Sequence, residues 1–395
     1  MSRLLNAVVA GHVCLDIIPD MSALDPGGLE KVFQPGRLTE VGAPTLSTGG
    51  PVSNTGLALH CLGIPTQLIC KVGQDPFGQV VHRLVEAHDP GLAAGIVADP
   101  QATTSYSVIV SPPGVDRIFL HSPGANHAFS AADIPYDLVR KAALFHFGYP
   151  PVMRQMYAEN GRGLVEVFRR ARQTGATTSL DLCYPDPASE GGRCDWVAIL
   201  QAVLPFVDIF LPSIEELLIT LRRSTYEAMI QQGALIEQID TALLHDLSDE
   251  LLGLGVRLAG VKLGERGLYL RSSGTACLAA MGRASPVDAA AWADQELWAP
   301  CFHVQVVGTT GAGDATIAGF LAALLRGTGP EAAVLSAVAV GACNVEAADA
   351  LSGLRSWEDT QRRIRAGWGQ LPLHLDVPGW EWDPAHTLWR RVASS

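Results

Sequence analysis

Apolar and polar positions along the chain fall into short β-branched runs that alternate with stretches of helical period. The runs include, in chain order, VVAGHVCLDII, TQLICKVG, ALFHFG, TSLDLC, DIFLPS and RLAGVKLG, and helical patterns such as NTGLALHCLG and ATIAGFLAALLRG lie between or after them. Such alternation is typical of βαβ units, in which helices cover both faces of a mainly parallel sheet. It predicts an α/β, doubly wound domain whose first strand covers residues 5–17.

Two segments interrupt this alternation. Residues 21–48 are rich in Gly and Pro, and residues 101–123 alternate polar and apolar positions around a PPGVD turn, which predicts a hairpin. Because strands outside a βαβ series have to pack on one edge or side of it, we expect these two segments to form a small β lid. Residues 1–20, 49–100 and 124–395 then form the core.

Two features distinguish the last third of the chain. Residues 272–300 are Ala-rich and weakly patterned, so we interpret them as an insertion before a strand with the sequence FHVQVV. The tail is too aromatic for a disordered end, and we predict that it packs back on the domain. Its tryptophans are Trp357, Trp368, Trp380, Trp382 and Trp389.

The charge and hydropathy of the chain exclude two classes of partner. There are 28 Lys and Arg against 40 Asp and Glu, a formal charge of −12, and the basic residues are scattered. Nucleic-acid binding needs a dense basic face, so no nucleic-acid partner is expected. The apolar runs at 317–325 and 332–345 are shorter than the about 20 residues that span a membrane, and His12 and Asp16 interrupt the apolar start. We therefore expect no membrane span and no signal peptide.

The cysteine spacing gives no sign of a covalent or metal framework. Eight cysteines are spread along the chain without a CxxC pair, so the spacings of common zinc and thioredoxin-like sites are absent. A chain with this much core needs no disulfide. We expect reduced thiols and a cytoplasmic location.

The most informative segment is VVGTTGAGDATIAGFLAALL at 306–325. A Gly-rich approach leads directly into an apolar helix, so the amides of Gly311, Ala312 and Gly313 should form an anion site at the helix N-terminus. A carboxylate beside a bound phosphate repels it, so the position of Asp314 calls for another function. Asp314 could take the proton of a substrate hydroxyl as general base, or it could be an ordinary helix cap.

This segment resembles the C-terminal signature of the PfkB (ribokinase-like) carbohydrate kinases, whose usual form is DTTGAGDAFxAGF. GGPVSNTGLALHCLG followed by KVGQDPFGQ is similar to their N-terminal signature, and PGAN, LDLCYPD, PSIEE and VKLGERG follow in the family's order. The resemblance covers about residues 8–353. It implies a ribokinase-like fold with a β lid, and transfer of the γ-phosphate of ATP to a hydroxymethyl group with Mg²⁺.

Functional positions are carried over from the resemblance one residue at a time. It implies that Asp314 is the catalytic base and that the Gly311, Ala312 and Gly313 amides stabilise the oxyanion. It also implies sugar-binding positions at Asp16, Gly49, Gly50 and Asn54, a magnesium-positioning acid at Glu216, and nucleotide-side positions at Ser213, Gly264, Thr309 and Asn344.

Each of these residues also has a structural explanation. Asp16 could simply end a strand, although it would then lie at the sheet edge where open α/β folds bind ligands. Gly49 and Gly50 could form a turn, with Ser53 or Asn54 capping the next helix. Glu216 could complement a helix dipole, and VKLGERGLYL could be only a hairpin.

Four residues depart from the family pattern. Gly308 replaces the Asp that helps coordinate an activating monovalent cation, so activation by potassium is in doubt. Ser213 replaces the Asn of the NxxE motif, Thr316 replaces a usual Phe, and Cys183 follows Asp181 where many members have a polar residue. These changes indicate a divergent branch.

The sequence favours an ATP-dependent kinase acting on a sugar or a nucleoside-like alcohol. The alternative is a ligand-binding or regulatory protein of the same fold with weak or no catalysis. A lyase or glycosidase is a third hypothesis, since fold does not fix chemistry. The resemblance also implies a homodimer through the lid, since lid strands of this family often pair between subunits along their exposed edges.

Overall fold

The structure, a computed structural model, describes residues 6–25, 29–114 and 117–392. Its strands are β1 (Ala7–Gly11), β2 (Cys14–Ile18), β3 (Thr45–Gly49), β4 (Thr66–Gly73), β5 (Ile96–Asp99), β6 (Tyr106–Val110), β7 (Ile118–Ser122), β8 (Leu144–Gly148), β9 (Thr177–Asp181), β10 (Ile209–Phe210), β11 (Leu258–Lys262), β12 (Leu268–Ser272), β13 (Glu296–Ala299), β14 (Trp380–Asp383) and β15 (Leu388–Arg391).

The helices lie between these strands and after β13. They are α1 (Leu29–Val32), α2 (Pro51–Cys61), α3 (Pro76–Glu86), α4 (Tyr136–Lys141), α5 (Arg154–Gln173, interrupted at 158–161), α6 (Trp196–Val203), α7 (Ile214–Leu221), α8 (Arg223–Gln232), α9 (Thr241–Gly253), α10 (Thr275–Ala279), α11 (Ala289–Trp292), α12 (Ala312–Leu325), α13 (Pro330–Asn344) and α14 (Trp357–Arg365). Among the residues described, no helix has the length and apolarity needed to cross a membrane.

A large sheet with the order β14-β15-β13-β12-β11-β10-β9-β8-β1-β4-β5 forms the centre of the protein. In the order of this sheet, neighbouring strands between β11 and β5 pair in parallel, and neighbouring strands between β14 and β11 pair antiparallel. Successive side chains of a strand point to opposite faces, and Val8 and Val9 of β1 belong to two different buried clusters. Helical residues such as Phe320 in one cluster and Phe168 in the other cover the two faces. The predicted α/β fold class is confirmed.

The connections create a switch point beside β1. From β1 the chain reaches β4 and β5 on one side, and it then returns to β8 on the other side. Ligands of open α/β sheets bind at such points, outside the carboxyl ends of the strands. Gly11, Gly148 and Asp181 lie side by side at these ends, which defines where a site is expected.

A second sheet, with the order β3-β2-β6-β7, stands apart from the large one. The predicted hairpin is confirmed by the antiparallel pairing of β6 with β7, although Val115 and Asp116 of its turn lie outside the described residues. The single first strand at 5–17 is wrong, because β1 and β2 join different sheets. Gly11, at φ 128°, separates them. The division into core and lid stays a prediction, and the pairing adds Cys14–Ile18 to the small sheet.

The C-terminal part differs from the sequence interpretation in one respect. FHVQVV is not a strand: it makes one isolated bridge, Phe302 to Gln370, and Val306 and Val307 are 60% and 59% exposed. The next strand is instead β13, inside the predicted insertion. The tail packs back as predicted, because β15 pairs with β13 and β14 with β15.

Candidate active site

A cavity of about 440 Å³ lies at the switch point, between the carboxyl edge of the large sheet and the small sheet. Three predicted residues of the acceptor side, Asp16, Gly50 and Asn54, line it, as does Gly311. The other lining residues are His12, Cys14, Ser107, Arg117, Phe119, His121, Tyr149, Val152, Cys183, Tyr184, Thr309 and Thr310. The cavity therefore joins the start of α12 to the small sheet.

Asp314 lies in the first turn of α12 and is only 2% exposed. Three side chains donate hydrogen bonds to its carboxylate. Asn54 Nδ2 reaches Oδ2 at 3.0 Å, Thr55 Oγ1 reaches Oδ1 at 3.1 Å, and Tyr149 Oη reaches Oδ2 at 2.9 Å. The carboxylate is thus held in one orientation by α2 and by the residue that follows β8.

The surroundings of Asp314 act on its pKa in opposite directions. Burial raises the pKa above its ordinary value, whereas the Asn54 hydrogen bond, the charge of Lys262 and the hydroxyls of Tyr149 and Thr55 lower it, with burial the larger effect. A carboxylate with a raised pKa is a better proton acceptor near neutral pH than an exposed one.

The N-terminus of α12 is open towards the cavity. Gly311 precedes the helix with φ 73° and carries no side chain that could cap it. The Ala312 amide donates to the Thr309 carbonyl at 3.3 Å, while the amides of Gly311 and Gly313 have no acceptor among the described residues. Two amides of the predicted three are therefore available to an anion, together with the positive end of the helix dipole.

Two of the predicted acceptor-side positions, Asp16 and Gly49, lie in contact, and Gly50 lies beside His12. The Asp16 carboxylate packs against the Cα of Gly49, where a side chain would collide with it. Gly50 has φ 88°, and a Cβ there would lie 2.5 Å from His12 Nδ1. Burial raises the pKa of Asp16 to about 6, against the hydrogen bonds of Cys14 and Ser107.

The structure answers the alternative explanation for the start of α2. The residue before the helix is Gly50, and no side chain caps it. Ser53 donates to the Gly49 carbonyl, and Asn54 donates to Asp314. The capping explanation for Ser53 and Asn54 is therefore wrong. The Asn54 Oδ1 atom is buried without a partner among the described residues, which leaves an acceptor for a ligand.

A charged cluster lies beside Asp314. Lys262, at the end of β11, pairs with Asp181, at the end of β9, at 2.8 Å. Burial lowers the pKa of Lys262, but the charges of Asp181 and Glu216 outweigh it and raise the pKa. The Glu216 carboxylate accepts from the Ser213 amide at 2.7 Å, and the Glu216 amide donates to Ser213 Oγ at 3.2 Å, which together form a capping box. Glu216 thus lies in the first turn of α7, as its structural explanation requires, and Ser213 caps that helix.

Comparison with known proteins shows to which family the chain belongs. Residues 5–357 match the sequence model of the pfkB family carbohydrate kinases. The chain belongs to this family. An uncharacterized sugar kinase of Archaeoglobus fulgidus is 24% identical over 271 residues, which cover 69% of this chain and 87% of that protein. The chain is a carbohydrate kinase, and the sensor, lyase and glycosidase alternatives are not favoured.

Solved structures of similar fold come from the same family. The ribokinase of Arabidopsis thaliana complexed with ribose and ATP has a TM-score of 0.68 at 19% identity, over 92% of this chain and 99% of that one. A putative ribokinase II from E. coli in complex with ATP and Mg²⁺ has a TM-score of 0.66 at 18% identity, over 92% and 100%. These likenesses confirm the ribokinase fold of the kinase.

Three of the predicted nucleotide-side positions differ in their surroundings. Gly264 has φ 55°, and a Cβ there would meet no atom within 4 Å. Asn344 is buried, donates from Nδ2 to the Ala350 carbonyl at 2.6 Å, and leaves Oδ1 without a described partner. Thr309 is exposed and bonded by Arg117, which also contacts Thr310. The nucleotide contacts of these residues stay predictions.

Sequence reasoning missed several residues of the kinase site. Tyr149, Thr55 and Lys262 contact or influence Asp314, and Arg117 of the hairpin reaches the front of α12. One signal was available: Tyr149 and Lys262 stand at the carboxyl ends of predicted strands, where open α/β folds place their sites. The others depend on contacts between distant parts of the chain.

Proposed function

We propose that this kinase transfers the γ-phosphate of ATP to a hydroxymethyl group of a sugar or sugar-like alcohol, with Asp314 as base. The amides of Gly311 and Gly313 stabilise the charge that develops on the migrating phosphoryl group. Asp16 and Asn54 hold hydroxyl groups of the acceptor in the cavity. The Ala312 amide joins them once its weak bond to Thr309 opens.

The observation that carries this proposal is the position of one buried carboxylate beside an open helix N-terminus. Asp314 is oriented by three donors and is adjacent to the free amides. In phosphoryl transfer the protein supplies positioning and electrostatic stabilisation rather than covalent chemistry. A protein that only binds sugar has no need to bury and orient such a base, so this geometry supports turnover.

The carboxylates near Lys262 suit a magnesium ion that arrives with the nucleotide. Mg²⁺ usually keeps several waters and binds through one or two carboxylates together with phosphates. The charge of Glu216 raises the pKa of Asp181, so the two carboxylates lie near each other, and they are the residues that would hold the ion. When bound, Mg²⁺ would neutralise phosphate charge. Before the nucleotide binds, the positive charge of Lys262 offsets part of the negative charge of Asp181 and Glu216.

Gly308 bears on whether the activity depends on a monovalent cation such as potassium. A Cβ at this position would lie 2.8 Å and 2.9 Å from the carbonyl oxygens of Ala348 and Ala347, so the backbone leaves no room for the family's Asp. We infer that potassium is not required. The homodimer through the lid and the cytoplasmic location remain predictions.

The test is ADP formation from Mg·ATP with a panel of pentoses, hexoses and nucleosides, comparing the wild type with Asp314→Asn. Removal of a general base is expected to lower kcat by about 10²–10⁴ while acceptor binding is retained. Asp246→Asn, an exposed residue of α9, is the matched control and should keep full activity. Full turnover in Asp314→Asn, or no ADP with any acceptor, would contradict the proposal.

A further inference from the structure

Three metal-ligating side chains meet on the wall of the acceptor cavity. His12 follows β1, Cys14 begins β2, and His121 lies in β7. One ligand atom of each, a ring nitrogen or the sulfur, lies within 4.8 Å of the other two. The absence of CxxC pairs pointed away from a zinc site, but the two sheets bring these residues together from distant positions.

His12 is the unusual member of this cluster. It is 3% exposed, and neither of its ring nitrogens has a hydrogen-bond partner among the described residues. A buried polar group without a partner costs free energy, and buried histidines are normally paired. The cavity is the open direction beside it. A ligand that accepts the nitrogen lone pair would satisfy this side chain.

The ionisation of the histidines suits metal binding. Burial lowers the pKa of His12, helped by the nearby His121 and His127. Burial likewise lowers the pKa of His121, with His127 in support. These shifts favour the neutral imidazole, the form in which nitrogen coordinates a metal, whereas burial raises the pKa of the Cys14 thiol, whose proton a metal ion has to displace.

A hydrogen bond already orients one of these rings. His121 Nδ1 lies 3.0 Å from Ser107 Oγ, which leaves Nε2 for a metal. Ser107 Oγ is also 3.7 Å from the Cys14 sulfur, and the Cys14 thiol donates to Asp16 Oδ1 at 3.3 Å. Metal-bound histidines characteristically use the second ring nitrogen in this way.

We propose that His12, Cys14 and His121 bind one Zn²⁺ ion, with a water as its fourth ligand. On binding, the Cys14 S–H bond breaks, its proton leaves to solvent, and the sulfur electron pair forms the Zn–S bond. Imidazole and thiolate ligands suit zinc, and three protein ligands with one open position are typical of its non-structural sites. Bond lengths of about 2.0–2.3 Å require the ligand atoms to approach by roughly an ångström.

Zinc in this place would affect the acceptor. Asp16 and Asn54 line the same cavity, so the ion and its water occupy space that a sugar needs. We therefore expect zinc to raise the apparent KM of the acceptor without lowering kcat at saturating acceptor. This consequence rests on the proposed kinase function, whereas zinc binding itself does not.

Cobalt binding to metal-free protein tests the site without nucleotide or acceptor. Co²⁺ is expected to give a thiolate-to-cobalt charge-transfer band and the strong visible absorption of four-coordinate cobalt, and Zn²⁺ should displace it. Cys14→Ser should abolish the charge-transfer band and weaken zinc binding by more than about 100-fold, beyond the loss typical of outer-shell changes. Cys183→Ser, in the same cavity, is the matched control and should keep the band.

A further variant, His121→Ala, tests the site without changing Cys14. His121→Ala, at the exposed rim, should weaken zinc binding while retaining the thiolate band, and it serves if Cys14→Ser does not fold by circular dichroism. No charge-transfer band in the wild type, or a band that survives Cys14→Ser and disappears in Cys183→Ser, would overturn the site. Binding that leaves the acceptor KM unchanged would overturn only the predicted competition.

Discussion

The hydroxyl of Tyr149 offers a direct test of how the base is tuned. It donates to Asp314 Oδ2 at 2.9 Å inside the protein and thereby stabilises the ionised carboxylate. In Tyr149→Phe this donor is lost, while the ring and its packing are kept. The pKa of Asp314 should then rise, because burial already raises it and one of the opposing hydrogen bonds is gone.

The size of the effect follows from the strength of that bond. A hydrogen bond to a charged group contributes about 1.5–3 kcal/mol, and about 1.36 kcal/mol corresponds to one pH unit. Since Asn54 and Thr55 still donate to the carboxylate, we expect the lower end of this range. The base works only when deprotonated, so the acid limb of kcat/KM should move upward by about one pH unit.

The assay is the pH profile of kcat/KM for ADP formation, with Tyr226→Phe as the matched control. Within the described parts of the chain, the Tyr226 hydroxyl bonds only the Tyr184 hydroxyl, at 3.1 Å on the surface, and its loss should leave the acid limb in place. At low pH Tyr149→Phe should be slower than the wild type, and above the limb the two rates should converge. An unmoved limb, or one displaced to lower pH, would refute the assignment of Asp314 as the titrating base.

Three further predictions concern the frame of the site. Gly50→Ala should lower the free energy of unfolding by about 1–3 kcal/mol, because φ is 88° and the new Cβ meets His12, and thermal denaturation measures this. Lys262→Met should lower the free energy of unfolding by about 3–5 kcal/mol, because it leaves Asp181 buried and unpaired. Adding Asp181→Asn should restore part of that loss. Denaturant titrations measure both effects. Replacing potassium by a large organic cation should leave kcat unchanged, because Gly308 provides no carboxylate; a potassium-dependent rate would contradict this.

The strength of the sequence argument lay in long periodic elements and in local motifs. The βαβ alternation predicts the large sheet because apolar runs of this kind can only be buried between helices. The start of α12 was predicted with its Gly311 and Asp314, since both the amides and the helix dipole follow from a local turn. The pairing of β6 with β7 followed from a local hairpin pattern.

The errors have a common physical source, because short apolar runs do not specify their sheet. VVAGHVCLDII is continuous in hydropathy, yet Gly11 lets the chain leave β1 and enter the second sheet as β2. FHVQVV alternates like a strand, but the neighbouring edge of β13 is taken by β15. That competition is set by residues about 90 positions away, which no local pattern contains.

Candidate site residues could be named from the sequence where a local motif contains them. They were missed where contacts between distant parts of the chain bring them together. Asp16 and Asn54 carry signals of their own at a strand end and a helix start. Tyr149 contacts Asp314 across more than 160 residues, and His12 meets His121 only because β2, which follows His12, joins the sheet that contains β7. Such pairs are fixed by tertiary packing, and their chemistry becomes visible only in three dimensions.

The pairing of β13 with β15 also has a consequence for biosynthesis. Leu297 of β13 pairs with Arg390 of β15, and at about 5–20 residues per second the ribosome needs roughly 5–20 s to make the chain between them. During that interval β13 is an open edge with unsatisfied backbone groups, which is a template for association with other nascent chains. The kinase thus depends on residues made late in synthesis to cover the β13 edge of its large sheet.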